Sequence, residues 1–397
     1  MSVTFARGFS AAGVAAGLKP SGALDLALLV GAAGTTATGL FTTNKVVAAP
    51  VQLARARLDA GHGTAVLVNS GQANAATGTR GAGDALRATD AAAALLHRDS
   101  DDVVPCSTGV IGEPIHMPEL LAALPGLVDS VAPDGDDDFA HAILTTDTVS
   151  KQATATAGQF RVGGAAKGVG MISPNLATML AFVTLDAAVA RGHLSRLADD
   201  VLRDTFNSIS VDGCTSTNDT VVVLASAAAG GSPVTPGTTA WDGLATAVGA
   251  VGESLARQLI HDGEGATHVL LIDVVGAADE NDARAVAKAV ADSPLVKTAA
   301  FGEDANPGRI LQAAGAAGVD LDADHLDVWI GDVQVAAGGT IDPDSFAHGG
   351  SAARAKPAMA APEVSIRLRV GDGPGAARVL GCDLSYDYVK INGEYTT

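Results

Sequence analysis

Short runs of apolar residues alternate along the chain with longer stretches in which apolar residues recur every three or four positions. The short runs predict β-strands and the longer stretches predict amphipathic helices. The predicted strands are Leu24–Val30, Thr64–Val68, Thr220–Leu224, Val269–Val275, Val328–Ile330 and Val364–Val370. The predicted helices are Asp84–Leu96, Glu119–Leu124, Leu194–Phe206, Trp241–Leu259 and Asn281–Ala291. This mixture of strands and helices predicts an α/β protein with a layered sheet–helix architecture.

Proline, glycine and acidic residues predict where several elements begin or end. Pro125 is expected to end the second helix, because proline disrupts a helix interior. The run Asp134–Asp138 is typical of a helix N-terminus, since it lacks the spaced ligands of a calcium loop. Gly371–Gly375 predicts a hairpin turn before Ala377, and the small residues of Gly349–Ala361 predict a surface loop.

The composition permits a large core and narrows the class of protein. Of 397 residues, 47% are hydrophobic and 17% are charged, which favours a compact, soluble protein. The net charge of −19 comes without any Lys/Arg cluster, so nucleic acid is not an expected partner. No apolar run approaches the ~20 residues of a membrane span. The widely spaced Cys106, Cys214 and Cys382 are expected to be reduced core residues of a cytoplasmic protein.

Several common active-site motifs are missing from the sequence. It contains no G-x-S-x-G, no P-loop and no H-E-x-x-H, and its nine histidines show no ligand spacing. We therefore expect no metal and no cofactor.

The segment Lys167–Leu180 has the most informative pattern, because it places Thr178 between a glycine-rich turn and an apolar run. Threonine is a weak nucleophile unless a base takes its proton. Cleavage of the chain between Ala177 and Thr178 would free an α-amine that could serve as this base. The pattern thus predicts a precursor that generates its own nucleophile.

Four further segments combine small polar residues with glycine. Pro105–Gly112 could direct a hydroxyl and a backbone N–H at an oxyanion, although a plain turn would give the same pattern. Thr145–Thr148 could bind substrate or cap a turn. Phe206–Thr220 predicts a buried polar network, in which every group must be paired, or an exposed loop. In His261–Thr267, Glu264 lies between two glycines and could approach a ligand ammonium or remain a solvated turn residue.

Lys167–Leu180 resembles the K-G-x-G-M-[IL]-x-P-x-[ML]-A-T-M-L signature of the ornithine acetyltransferases (glutamate N-acetyltransferases) of arginine biosynthesis. Other segments resemble further blocks of that family in the same order. These are Asn69–Ala75, Ser107–Gly112, Thr145–Thr148, Phe206–Thr220, Asp262–Thr267 and Cys382–Thr397. The resemblance extends from Gly8 to Thr397.

The resemblance implies a self-cleaving enzyme with an N-terminal nucleophile. Cleavage at Ala177–Thr178 would give an α chain, 1–177, and a β chain, 178–397, which share one body. Thr178 would be the nucleophile, and Thr108 and Gly109 would form the oxyanion hole. The implied substrate-binding residues are Thr145, Lys167, Thr178, Glu264, Asn392 and Thr397. Two α and two β chains would form a heterotetramer.

The implied reaction is a ping-pong transfer of acetyl from N-acetylornithine to glutamate. Ala76, Cys214 and Gly393 depart from the family pattern, and none of them is a catalytic position. Three alternatives remain open at the sequence level. The enzyme could also use acetyl-CoA as donor, it could be a related self-cleaving amidase or aminopeptidase, or the chain could be an amino-acid-binding protein without activity.

Overall fold

The computed structural model describes residues 2–173 and 179–394. The strands, in chain order, are β1 (Phe9–Val14), β2 (Leu26–Gly31), β3 (Thr36–Phe41), β4 (Ala65–Gln72), β5 (Val103–Val110), β6 (Lys151–Ala157), β7 (Phe160–Lys167), β8 (Leu180–Leu185), β9 (Thr220–Ala225), β10 (Val269–Ala277), β11 (Asp327–Ile330), β12 (Val333–Ala336), β13 (Glu363–Arg369) and β14 (Gly375–Cys382).

The helices lie mainly between these strands. They are α1 (Ala49–Ala60), α2 (Gly78–Leu96), α3 (Met117–Asp129), α4 (Asp136–Ala142), α5 (Arg191–Leu197), α6 (Asp204–Asn207), α7 (Thr239–His261), α8 (Glu280–Asp292), α9 (Pro294–Phe301), α10 (Pro307–Gly315), α11 (Ser351–Met359) and α12 (Tyr386–Glu394). A π-helical segment, Ala198–Arg203, joins α5 to α6. No helix in the described ranges is long and apolar enough to cross a membrane.

The strands of the described residues form three sheets. The first sheet has the order β1-β2-β4-β5, the second β3-β9-β8-β7-β6, and the third β12-β11-β13-β10-β14. Parallel pairing occurs between β4 and β5, β8 and β9, and β10 and β13. The α/β prediction is therefore confirmed, with both pairing types present.

The first two sheets pack face to face between outer helices. Along β2, Leu26 and Leu28 contact the core under α2 and α3, whereas Leu29 faces the core shared with the second sheet. Along β8, Phe182 faces that shared core and Val183 faces the core under α7. Side chains alternate between the two faces of a strand, so both sheets are buried on both sides. The order of layers is helix, sheet, sheet, helix.

The second sheet combines strands from both sides of the predicted cleavage point. β7 ends at Lys167 and pairs antiparallel with β8, with Lys167 opposite Leu180. β9, from the later part of the chain, pairs with β3 and β8. The segments before and after residues 174–178 therefore belong to one hydrogen-bonded sheet.

The third sheet has its own apolar core with α8 to α11. It joins the rest of the molecule where Leu380 exchanges backbone hydrogen bonds with Ser208 and Ser210, both at 2.8 Å. This contact places the end of β14 and the start of α12 beside the second sheet.

Several boundary predictions are wrong for identifiable reasons. Pro125 lies inside α3 on its exposed side, where buried Leu120, Leu124 and Leu127 hold the helix against the core. Gly371–Gly375 does not form a hairpin turn, because β13 and β14 pair with opposite sides of β10.

Three further predictions have mixed outcomes. The surface loop predicted at Gly349–Ala361 is wrong, because the segment contains helix α11, whose buried Ala352, Ala355 and Met359 have helical spacing. Cys106 and Cys382 are buried as expected, whereas Cys214 is exposed. The predicted helix N-terminus at Asp134–Asp138 is confirmed by α4.

Candidate active site

Lys167, the last residue of β7, connects two predicted site residues. Its buried ammonium donates to Thr145 Oγ1 at 2.6 Å and to Thr108 Oγ1 at 3.3 Å. A carboxylate oxygen of Asp147 lies 3.7 Å from Nζ. Burial lowers the pKa of Lys167 below its ordinary value, although Asp147 acts in the opposite direction.

A second buried lysine completes a charged cluster behind Lys167. Lys151 is 0% exposed, and its ammonium contacts Asp147 at 2.7 Å and also bonds Asp262. Asp147 accepts a further hydrogen bond from the backbone N–H of Gly168 at 2.7 Å. Burial alone would raise the pKa of Asp147, but Lys167 and Lys151 outweigh it and hold the pKa well below its usual range. Asp147 is thus a buried anion between two cations.

Thr108 and Gly109 lie near the end of β5, where the backbone is fixed by a buried amide network. Asn218 Nδ2 donates to the carbonyl oxygens of Ser107 at 2.9 Å and Ala73 at 2.6 Å. Gly109 has φ +125°, and an added Cβ would lie 2.3 Å from the carbonyl carbon and oxygen of Gly71 on β4. Only glycine fits this close pairing of parallel strands.

Glu264 follows the C-terminus of α7 and is nearly buried. Its Oε1 accepts from Thr146 Oγ1 at 2.9 Å, and its Oε2 accepts from Asn392 Nδ2 at 2.8 Å. Its backbone N–H donates to the carbonyl of Val169 at 2.8 Å. A Cβ added at Gly170 would lie 2.4 Å from Oε2. The glutamate is therefore pressed against the segment that leads to residues 174–178, and is not a solvated turn residue.

Asp212 and Tyr388 close the other side of the site. Asp212 accepts from the backbone N–H groups of Met171 at 2.6 Å and Ile172 at 3.0 Å, and from the Tyr388 hydroxyl at 3.3 Å. Burial raises the pKa of Asp212, and burial next to Asp212 also raises the pKa of the Tyr388 phenol. Met171 has φ +55°, a left-handed conformation that the Asp212 contacts hold in place.

Asp212, Tyr388, Glu264, Lys167 and Thr108 line one cleft with a cavity volume of about 150 Å³. The cleft is lined by six of the predicted site residues: Thr108, Gly109, Thr145, Lys167, Glu264 and Asn392. The first four precede the predicted cleavage point, and the other two follow it. Ala177, Thr178 and Thr397 lie outside the described residues.

Asp219 is buried next to the residue that follows Thr178. Its Oδ1 accepts from the backbone N–H of Met179 at 3.2 Å. The Phe206–Thr220 segment does form a buried network from Ser216 to Thr220. The expectation that every polar group in it is paired is wrong, because Asp219 Oδ2 has no hydrogen-bond partner among residues 2–173 and 179–394.

Sequence reasoning missed the roles of Lys151, Asp147, Asp212, Asp219 and Tyr388 around this cleft. The four-residue spacing of Asp147 and Lys151 offered a local signal for an ion pair. No local signal joins Lys151 to Asp262, because they come from distant parts of the chain. In the described part of the chain, no three His, Cys, Asp or Glu side chains are grouped as a metal site requires.

Comparisons with known proteins extend over the whole chain. The model of the ArgJ family matches residues 10–397. The arginine biosynthesis bifunctional protein ArgJ of Parasynechococcus marenigrum (strain WH8102) is 45% identical, and the match covers 100% of this chain and 95% of that protein. This chain belongs to the ArgJ family.

Two solved structures are also similar to this family member. The arginine biosynthesis bifunctional protein argJ from Bacillus halodurans is 39% identical with a TM-score of 0.50, and the match covers 53% of this chain and 97% of that chain. The ornithine acetyltransferase from Mycobacterium tuberculosis, complexed with ornithine, is 44% identical with a TM-score of 0.41, covering 44% of this chain and 95% of that chain.

Membership of the ArgJ family confirms the resemblance drawn from the sequence. It also confirms that the chain is an enzyme, an acetyltransferase of arginine biosynthesis. The reading as an amino-acid-binding protein without activity is thereby set aside.

Proposed function

We propose that this ArgJ family member transfers an acetyl group from N-acetyl-L-ornithine to L-glutamate through an acetyl ester on Thr178. The observation that carries the proposal is the meeting of Lys167, Thr108 and Glu264 in one cleft. This cleft is also lined by residues 169–171, just before the segment that contains Thr178. The products would be L-ornithine and N-acetyl-L-glutamate.

The nucleophile would arise by cleavage between Ala177 and Thr178. In this step Thr178 Oγ attacks the Ala177 carbonyl, the amide becomes an ester, and water hydrolyses the ester. The freed α-amine has an ordinary pKa of about 8, which suits a general base near neutral pH.

Thr108 and Gly109 would stabilise the oxyanion of each tetrahedral intermediate. The Thr108 hydroxyl oxygen accepts from the Lys167 ammonium, so its own proton remains available for donation. The nearby positive charge strengthens that donation. Loss of one such donor typically lowers the rate by about 10²- to 10³-fold.

The charges of the cleft suit amino-acid substrates. Lys167 and Thr145 offer donors to a carboxylate, which N-acetylornithine and glutamate both carry. Glu264 offers its carboxylate to a substrate ammonium, and Asn392 fixes the position of that carboxylate. One cleft thereby presents both signs of charge to a zwitterionic ligand.

A second donor deserves a direct assay, because similar proteins carry the word bifunctional in their names. If this chain shares that property, it would also accept acetyl from acetyl-CoA. Glutamate acetylation should then be measured with each donor alone. Activity with N-acetylornithine only would identify a monofunctional enzyme.

Denaturing mass spectrometry of the wild type and Thr178→Ala, followed by transfer assays, tests the proposal. We expect the wild type as two chains that meet at Ala177–Thr178, and the variant as one inactive chain. A single uncut wild-type chain that still transfers acetyl to glutamate would overturn the mechanism.

A self-cleaving amidase or aminopeptidase would use the same nucleophile but pass the acyl group to water. Asn392 contacts Glu264 in the cleft, so removal of residues 392–397 should disturb the amino-acid site. We expect this truncation to abolish acetyl transfer to glutamate while hydrolysis of a simple acetyl ester persists. A wild-type enzyme that hydrolyses the acetyl ester but transfers no acetyl to glutamate would favour the alternative, and retention of transfer in the truncated enzyme would contradict the role given to Asn392.

We also propose that two α and two β chains assemble as a heterotetramer in the cytoplasm. The family resemblance supports the assembly. The three free cysteines support the location. Light scattering on the cleaved protein would measure its mass, and the mass of one α plus one β chain would contradict it.

A further inference from the structure

The segment Thr145–Thr148 contacts both of the oppositely charged groups that face the cleft. Thr145 Oγ1 accepts from the Lys167 ammonium at 2.6 Å, and the next residue, Thr146, donates its hydroxyl to Glu264 Oε1 at 2.9 Å. Both threonines line the cleft. Two adjacent residues of one segment therefore hold the cation and the anion that a ligand would meet.

The next two residues of the segment repeat this division behind the cleft. A carboxylate oxygen of Asp147 lies 3.7 Å from the Lys167 ammonium. Thr148 donates its backbone N–H at 3.0 Å to the carboxylate of Asp262, two residues before Glu264, and its hydroxyl also bonds this carboxylate. Alternate residues of the segment thus hold opposite sides of the cleft.

Lys151 joins the two sides. Its ammonium contacts Asp147 at 2.7 Å and also bonds Asp262, and the exposed fractions of these side chains are 0% for Lys151 and Asp147 and 6% for Asp262. Separating the partners of a buried ion pair leaves an uncompensated charge, which is strongly destabilising. The cluster therefore resists any change in the spacing between the two sides.

The Glu264 carboxylate is fixed in direction as well as in position. Its Oε2 accepts from Asn392 Nδ2 at 2.8 Å, while its Oε1 accepts from Thr146. An ionised carboxylate has about four acceptor positions, so it can still accept from a ligand ammonium. A carboxylate held at both oxygens presents these positions at one distance from Lys167.

We propose that Thr145–Thr148 sets the length of the donor substrate, an inference that rests on the proposed function of the cleft. An α-N-acetylated diamino acid carries one negative group, its α-carboxylate, and one positive group, the ammonium that ends its side chain. Lys167 binds the first group, Glu264 binds the second, and the segment fixes the distance between them. Thr146 is a specificity-determining residue, and Thr148 is a positioning residue. The site selects the side chain of N-acetylornithine over homologues with one methylene more or fewer.

The test compares donors that differ only in the length of the side chain. N-acetylornithine, N-α-acetyl-lysine, which is one methylene longer, and the homologue that is one methylene shorter are each supplied with glutamate as acceptor. Formation of N-acetylglutamate gives kcat/KM for each donor, and in a ping-pong reaction this value reports the donor half-reaction alone.

The proteins compared are the wild type, Thr146→Val, Thr146→Ser, Thr148→Val and Thr154→Val. Thr154→Val is the matched control, because Thr154 is an exposed threonine of β6. Thr148 is also exposed, so its replacement tests the segment without removing a group that lines the cleft.

We expect the wild type to prefer N-acetylornithine over either homologue by at least about tenfold, as one methylene commonly allows. Thr146→Val keeps the shape of the side chain but loses the hydroxyl, so this preference should fall by about two- to tenfold, the effect of one hydrogen bond. Thr146→Ser should restore the preference. Thr148→Val should also lower it, and Thr154→Val should match the wild type.

The two hypotheses fail in different ways. A wild type that forms no N-acetylglutamate from N-acetylornithine would overturn the proposed function and the length selection with it. A wild type that transfers acetyl equally well from all three donors, or a Thr146→Val with the wild-type preference, would overturn the length selection alone. An equal fall in Thr154→Val would do the same. If Thr146→Val does not fold, Thr148→Val decides, and an unchanged preference in that variant would contradict the proposal.

Discussion

At the residue scale, the site depends on two buried lysines that share Asp147. Lys167 reaches the cleft, whereas Lys151 lies behind it and bonds Asp147 and Asp262. Removing one partner of a buried ion pair leaves an uncompensated charge, which costs more than the pair contributes. Lys151 is therefore a structural support for the cleft without facing the substrate.

Lys151→Met should destabilise the protein by about 3–5 kcal/mol, because it leaves Asp147 and Asp262 without their shared cation. Lys45→Met, at an exposed lysine, is the matched control and should change stability by less than about 0.5 kcal/mol. Thermal or denaturant unfolding measures both. Similar stability of the two variants would show that Lys151 carries no such role.

The depressed pKa of Asp147 predicts how stability depends on acid. The pKa is lower in the folded state than the ordinary value of 3.8, so ionised Asp147 stabilises the fold above about pH 4. That contribution is lost as the pH falls through the folded-state pKa. Asp147→Asn should therefore be less stable at neutral pH and should lose less stability than the wild type on acidification. Parallel stability curves from about pH 6 to 2 would contradict this assignment.

At the scale of secondary structure elements, the ends of strands and helices bring the site together. β5 supplies Thr108, β7 supplies Lys167, the end of α7 is followed by Glu264, and α12 supplies Asn392. The 168–173 segment approaches Glu264 so closely that a Cβ at position 170 would force the Glu264 carboxylate to move.

Gly170→Ala should displace Glu264, because the new Cβ would lie 2.4 Å from its Oε2. A displacement of about 1 Å can lower catalytic efficiency by about 100-fold, so we expect a comparable fall in kcat/KM for glutamate. Gly192→Ala, on α5 with nothing within 4 Å of the added Cβ, is the control and should retain activity. Wild-type kinetics in Gly170→Ala would show that the Glu264 position is not critical.

The sequence predicted elements better than it predicted their ends or partners. Periodicity located α7 and β10 to within two residues, because burial on a regular face fixes both. Pro125 misled the prediction, since the packing of the leucines around it outweighs one lost hydrogen bond. The Gly371–Gly375 turn misled it because β10, nearly a hundred residues earlier, lies between β13 and β14.

The sequence also predicted one part of the site and missed another. Six of its residues, which the family resemblance identified, meet in the cleft. The charged cluster of Lys151 and Asp262, and the hydrogen bond from the Met179 amide to Asp219, depend on contacts between distant segments. Local sequence patterns carry no information about such contacts.

At the scale of the whole molecule, cleavage before Thr178 would cut a connection within one sheet. β7 and β8 pair directly, and the cleft takes residues from both sides of the cut. The α and β chains should therefore stay together and unfold as one unit.

We expect the cleaved protein to elute as one species under native conditions and to show a single thermal transition. Two chains should separate only under denaturing conditions, because the pairing of β7 with β8 holds them together. Two native peaks, or two separate transitions assigned to the two chains, would contradict a shared body.

The central claim is that Thr178 carries the acetyl group between two substrates. Cleaved enzyme incubated with N-acetylornithine alone should accumulate an acetyl group on the peptide that begins with Thr178. Peptide mass spectrometry would detect it, and added glutamate should remove it as N-acetylglutamate forms. Transfer to glutamate without any acetylated Thr178, or acetylation at another residue that turns over instead, would contradict the account.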